Sequence, residues 1–149
     1  MPIHCSDLVK SPQMFDRTKQ VVITMEEPKR MKLAFIAAND LVKLEADAEF
    51  AAANGFAGLE FNYWKPFQDL TLDTVQQMRQ ILDRHGVGAA SLGIWGWNHT
   101  SPDAEERKIS LGHLDRAIEF AQVLGAPTLI TGGGQIPGGS RADNVNAFA

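Results

Sequence analysis

Apolar residues recur along this chain in short extended runs that alternate with longer helical stripes from residue 33 onward. Leu33, Ala34, Phe35 and Ile36 predict a first strand over 33–36, and Asn39 is placed to cap the helix that follows. In that helix Leu41, Leu44, Ala48 and Ala51 repeat at helical spacing, while Lys43, Glu45 and Asp47 take the polar face. Gly55 supplies a left-handed terminator. A second strand is expected over 56–61, with Glu60 at its end. Leu72, Val75, Met78 or Arg79, and Leu82 define a second amphipathic helix that Gly86 closes after His85, and 87–94 reads as a third strand. Ser101 and Pro102 then predict a helix start, a capping hydroxyl followed by proline at the first helical position. Asp103, Glu105 and Glu106 fall in its first turn, where the helix dipole favours negative charge. Ile109, Leu114, Ala117, Ile118, Ala121 and Leu124 form its expected apolar stripe, ended by Gly125. Pro127 opens a fourth strand over 128–131, and 141–149 resembles the first turns of a fourth helix with Val145 and Phe148 on one face.

The three helix-to-strand joints share one form, a glycine at 55, 86 or 125 followed at once by a short apolar run. Strand onsets near 33, 57, 87 and 127 are separated by 24, 30 and 40 residues, a βα rhythm that implies a parallel sheet. A doubly wound nucleotide-binding sheet would place a glycine-rich turn after the first strand. This chain has Ala37, Ala38, Asn39 and Asp40 there, so Glu60 is a weak stand-in for a ribose-binding acid, and a barrel is favoured. A (β/α)8 TIM barrel takes eight βα units and about 250 residues, whereas three and a half to four units are present. The expectation is therefore an N-terminal half-barrel over 31–149, truncated and inactive as an isolated chain. Residues 1–30, punctuated by Pro2, Pro12 and Pro28, carry little periodicity and read as a weakly structured N-terminal extension. Met31 stands where an alternative start would, although a surface-packed arm fits equally.

Composition narrows the field. A hydrophobic fraction of 44% with 21% charged residues belongs to a globular protein. The net charge of −4 gives no basic excess for nucleic acid or an anionic membrane. Cys5 is the one cysteine, which excludes an intrachain disulfide and a thiolate cluster and suits a cytoplasmic setting. No apolar run suggests a signal-peptide core or a bilayer span.

Several segments together carry a family likeness: Met31 to Phe35, Gly55 to Glu60, Ser91 to His99, His113 to Ile118, and Leu124 to Pro127. In order and spacing the chain from Met31 onward resembles the sugar phosphate isomerase/epimerase family of xylose isomerase-like barrels. That resemblance implies an α/β parallel (β/α)8 barrel acting on a small-molecule sugar or sugar phosphate, through proton transfer beside a carbonyl and an enediolate. It also implies a divalent metal (Mn, Mg, Co or Zn) held by acids and a histidine on later strands. None of these metal ligands is assigned here, and no metal is expected on this chain alone. Related DNA-repair endonucleases would show histidines at the ends of strands three and four; threonine and glycine end strand four here.

In a barrel, functional side chains sit at the C-terminal ends of strands and in the loops beyond. Glu60 qualifies as a substrate contact, with a loop ion pair as the plainer role. Trp95, Trp97, Asn98 and His99 follow strand three, where indole faces suit the apolar face of a sugar ring; a loop anchored by its aromatics is the alternative. Gly132 and Gly133 begin a glycine-rich loop after strand four, open to a phosphate or sugar hydroxyl. No catalytic residue is assigned. His4, His85 and His113 read as structural. The competing function is a non-catalytic half-barrel that binds a partner or self-associates through its open edge; a nucleotide-binding sheet ranks third.

Overall fold

A computed structural model describes residues 31–148; the expectations for Cys5, His4 and the N-terminal extension lie outside the described residues. Four parallel strands, β1 (Ala34–Ile36), β2 (Gly58–Tyr63), β3 (Gly88–Ile94) and β4 (Leu129–Thr131), stand in the order β1-β2-β3-β4. Between and after them run α1 (Leu41–Ala53), α2 (Leu72–His85), α3 (Ala104–Leu124) and α4 (Arg141–Phe148). A doubly wound sheet reverses direction at a switch point; this order advances without reversal, as a barrel wall does. The nucleotide-binding alternative is therefore set aside.

Alternation along β2 divides the molecule. Leu59, Phe61 and Tyr63 are buried against the helices, and Glu60 and Asn62 fall on the opposite, inner face. On β3 the helix side takes Leu92 and Ile94, and on β1 it takes Phe35. The inner face carries an exposed Ile36 in register with Glu60. One irregularity interrupts the ladder: Leu59 pairs with Ala89 but Glu60 pairs with Ser91, so Ala90 is an extra residue on β3.

Local chemistry shifts several boundaries. α1 is capped by Asp40, not Asn39: its carboxylate accepts from Val42 N at 3.1 Å and Lys43 N at 3.0 Å. α3 is capped by Asp103, whose carboxylate takes the amides of Glu105 and Glu106 at 2.9 Å each. Ser101 lies two residues upstream, accepting from Asp103 N at 3.2 Å, so Pro102 precedes the helix. Gly86 and Gly125 end their helices with φ of 66° and 74°, as anticipated. The expected stripe on α3 holds at Leu114, Ala117, Ala121 and Leu124, whereas Ile109 and Ile118 are exposed and Ser110 and Phe120 are buried. α4 starts at Arg141 as expected, with Val145 exposed.

A short 3₁₀ turn, Lys65–Asp69, was not anticipated, and it anchors the top of the core. Its Phe67 is fully buried and meets Tyr63, Trp97, His113 and Phe120 at centroid distances of 5.8–6.1 Å. The Arg116 guanidinium lies 5.2 Å from the Phe67 ring and 5.1 Å from Phe120, and donates to the carbonyls of Gln68 and Leu70. One ring thus ties the loop after β2 to α3. Replacing it, Phe67→Ala, is expected to cost about 3–5 kcal/mol in urea unfolding, and Phe67→Leu less. Equal stability of Phe67→Ala and the parent would show that the ring is not a packing centre.

Candidate functional site

Because β2 runs on to Tyr63, Glu60 sits in mid-strand and not at its end, and Asn62 stands above it on the same face. Asn62 Nδ2 donates to Glu60 Oε1 at 2.7 Å, and Trp95 Nε1 donates to Asn62 Oδ1 at 2.8 Å. This pair of bonds orients the amide, with its nitrogen toward the carboxylate and its oxygen toward the indole. Asn39 Nδ2 adds a bond to the Asn62 carbonyl at 2.8 Å, joining the loop after β1. Asn62 pairs with Gly93 on β3, and the absence of a side chain there makes the strip possible. A Cβ on Gly93 would lie 2.3 Å from Asn62 Oδ1 and 3.0 Å from Trp95 Nε1. Glu60 thereby becomes the first member of a polar strip that rises along the C-terminal half of β2 to the indole of Trp95.

The four residues read as one loop site after β3 separate into four environments. Trp95 bonds Asn62 in the strip and stacks, tilted, on Trp64 at 6.1 Å. Trp97 turns to the helices, 4.8 Å from His113 and 5.8 Å from Phe67. Asn98 clasps the next loop: Nδ2 donates to Gln135 O at 2.7 Å, and Oδ1 accepts from Gln135 N at 2.9 Å. His99 is buried, with Nδ1 2.9 Å from Ser110 Oγ and Nε2 2.9 Å from Thr131 Oγ1. It therefore links α3 to the end of β4.

The glycine loop is held by that clasp. Gly134 has φ +91°, and a Cβ on it would lie 2.1 Å from Asn98 Oδ1, so glycine is required there. Gly132 lies just before this point, and a Cβ on it would meet nothing within 4 Å. Gly132 and Gly133 follow β4 on the same rim as the loops after β2 and β3.

Asn62 and Trp64 were missed by the sequence reading. Carrying the alternation two residues past Phe61 would have found Asn62 on the face of Glu60. Nothing in the pattern announces Trp64, which is 62% exposed. Two hollows lie away from the rim. One, of about 450 Å³, opens between α1 and α2, lined by Leu41, Val42, Glu45, Gln77, Ile81 and Arg84. The other, of about 350 Å³, sits at the N-terminal ends of the strands around Gly58, Gly88 and Ala90. Neither position is where a barrel does chemistry, so the strip is the better candidate.

Among the described residues no three of His, Cys, Asp and Glu come together to hold a metal ion. Asp40 and Asp103 serve as helix caps, and Asp47 accepts from Ala38 N at 2.8 Å. The donor set at the strip, one carboxylate beside one carboxamide, does not by itself fit a divalent-metal site. No helix among the described residues is long and apolar enough to cross a membrane.

A family model described as a xylose isomerase-like TIM barrel matches residues 48–149, more than half of the chain. The chain belongs to the xylose isomerase-like TIM barrel family. Among solved structures, a crystal structure of D-psicose 3-epimerase in the presence of D-fructose superposes with a TM-score of 0.61 at 16% identity. That match covers 79% of this chain and 45% of the epimerase, so the chain spans less than half the length of that enzyme. No curated protein matches. In a xylose isomerase-like barrel the rim at the strands' C-terminal ends is the functional face, and the strip rises to that rim.

Gly93→Ala is expected to part Asn62 from Trp95 and shift the Trp95 indole N–H resonance; an unmoved resonance would disprove the contact. Burial holds His99 below its ordinary value of 6.5. Burial, with Arg116 and His99 nearby, does the same for His113. Both rings thus favour the neutral form when folded. Their contribution to stability is complete above the unfolded value and is lost as pH falls below about 6.5 through the folded values. Urea unfolding should show stability declining over that window, and less steeply in His99→Asn; a parent with flat stability there would contradict it.

Proposed function

We propose that this chain provides the sugar-binding N-terminal half of a sugar isomerase/epimerase-type barrel, with Glu60, Asn62 and Trp95 as the wall that meets the substrate. The observation that carries this is the hydrogen-bonded strip on the inner face, at the rim of a xylose isomerase-like fold. A carboxylate accepts about four hydrogen bonds and Asn62 uses one, so Glu60 retains capacity for sugar hydroxyls. Asn39, Asn98 and the glycine loop at 132–133 border the same rim, and His99 positions the root of that loop. The reaction class is proton transfer beside a carbonyl, through an enediolate. It takes a positioned base and a group that stabilises enediolate charge, and in the family reading a divalent metal supplies that stabilisation. The described residues form no site for one, so binding and orientation of a sugar or sugar phosphate is assigned to this chain and turnover is not.

D-fructose titrated into the protein, with and without Mn²⁺, should bind saturably by calorimetry. Glu60→Ala should weaken it roughly 10–100-fold, as expected when a charged hydrogen-bond partner is lost. No saturable binding by the folded parent, or full binding by Glu60→Ala, would refute the assignment.

Self-association is a second proposal, favoured by the outer strands and their flanks. β1 and β4 bound the described sheet, and Val42 on α1 is 81% exposed and Ile109 on α3 58%. Light scattering should then report a dimer, with β1 of one copy against β4 of the other; a monomer throughout the accessible concentration range would remove it.

A further inference from the structure

Trp64 is an indole standing largely in solvent at the rim of the sheet. Exposed tryptophan is unusual, because so large a ring gains most from burial. Its position is nevertheless defined. It follows directly on Tyr63, the last residue of β2, and stands at the start of the turn Lys65–Asp69, its carbonyl accepting from Phe67 N at 2.9 Å. Its ring lies against Trp95, with centroids 6.1 Å apart and planes tilted by 32°. Gly96, at φ +91°, runs beside it; a Cβ there would lie 3.7 Å from Trp64 Cε3, an ordinary contact. Trp95 in turn holds Asn62, and Asn62 holds Glu60. A carboxylate, a carboxamide and two indoles thus form one continuous surface, polar at its lower end and apolar at its upper end.

That gradient matches one ligand chemistry. A neutral sugar has hydroxyls along its edges and a patch of C–H groups on one face. Its hydroxyls would meet Glu60 and Asn62 while the C–H face lies on the open side of Trp64. A phosphate ester fits this surface poorly, because Glu60 places a negative charge where the ligand docks. Resting on the sugar-binding assignment above, we infer that Trp64 is the specificity-determining platform of this site. With the Glu60 carboxylate at its polar end, the surface selects an unphosphorylated sugar over a sugar phosphate.

The chain has three tryptophans, so its ¹H–¹⁵N spectrum carries three indole signals that can be assigned by substitution. On titration with D-fructose the Trp64 and Trp95 indole signals should move, and that of Trp97, packed against Phe67 and His113, should stay. Trp64→Ala should weaken D-fructose about tenfold, the effect of losing one stacked aromatic contact, and Trp64→Phe should restore most of it. D-fructose 6-phosphate should bind more weakly than D-fructose at the same site. Because Trp64 is exposed, these variants should fold, which circular dichroism checks. D-fructose binding that depends on Glu60 but leaves the Trp64 signal and Trp64→Ala affinity unchanged would overturn the platform and leave the sugar site standing. Tighter binding of the phosphate would overturn the selectivity. No binding of either sugar by the parent would remove both.

Discussion

The register that sets Asn62 of β2 opposite Gly93 of β3 is the constraint on which the candidate site depends. An amide in a strand interior ordinarily meets a side chain from the neighbouring strand. Here it meets none, and its oxygen is free to take the Trp95 indole while its nitrogen reaches down to Glu60. Each bond fixes the next, so a residue with no side chain determines where a carboxylate and an indole lie. Buried or half-buried polar groups are tolerated when every member finds a partner, and this strip meets that condition while leaving the carboxylate acceptor capacity for a ligand.

A second centre works on the opposite face of the sheet. Phe67 gathers aromatic rings from β2, the loop after β3 and α3, and Arg116 covers it while bonding the turn's own carbonyls. The loops at the rim are consequently anchored from beneath. His99 and Asn98 extend the same logic to β4, one through Thr131 and the other through Gln135. The candidate face is thus held from two sides, by its own strip on the inner face and by aromatic packing and His99 on the helix side.

Much of the architecture was legible in the sequence because it is written in periodicity. Four strands and four helices follow from patterns of two and 3.6 residues, the terminating glycines at 55, 86 and 125 from their places after the helical stripes, and the barrel class from the βα spacing and the missing glycine-rich turn; the fold agrees with each. The family resemblance agrees with the matched model. Legibility failed where tertiary contacts decide. Asp40 and Asp103 displaced Asn39 and Ser101 as caps because either neighbour could have served, and only the geometry of the entering chain chooses. Grouping Trp95, Trp97, Asn98 and His99 treated neighbours in sequence as neighbours in space. Trp95 and Trp97, two residues apart, would share a face in an extended strand; Gly96 between them, at φ +91°, breaks the alternation, so Trp95 faces the rim and Trp97 the helices. Trp64 was invisible because exposure leaves no periodic trace.

The extra residue in β3 carries a consequence of its own. Counted in strict alternation from Ala89, which packs toward the helices beside Leu59, Leu92 and Ile94 would turn inward and Gly93 would point at α3. Inserting Ala90 resets the phase by one step, so that the lower and upper halves of the same strand both bury their apolar members. The bulge acts as a frameshift in space, and the strip at the rim exists only in the corrected frame.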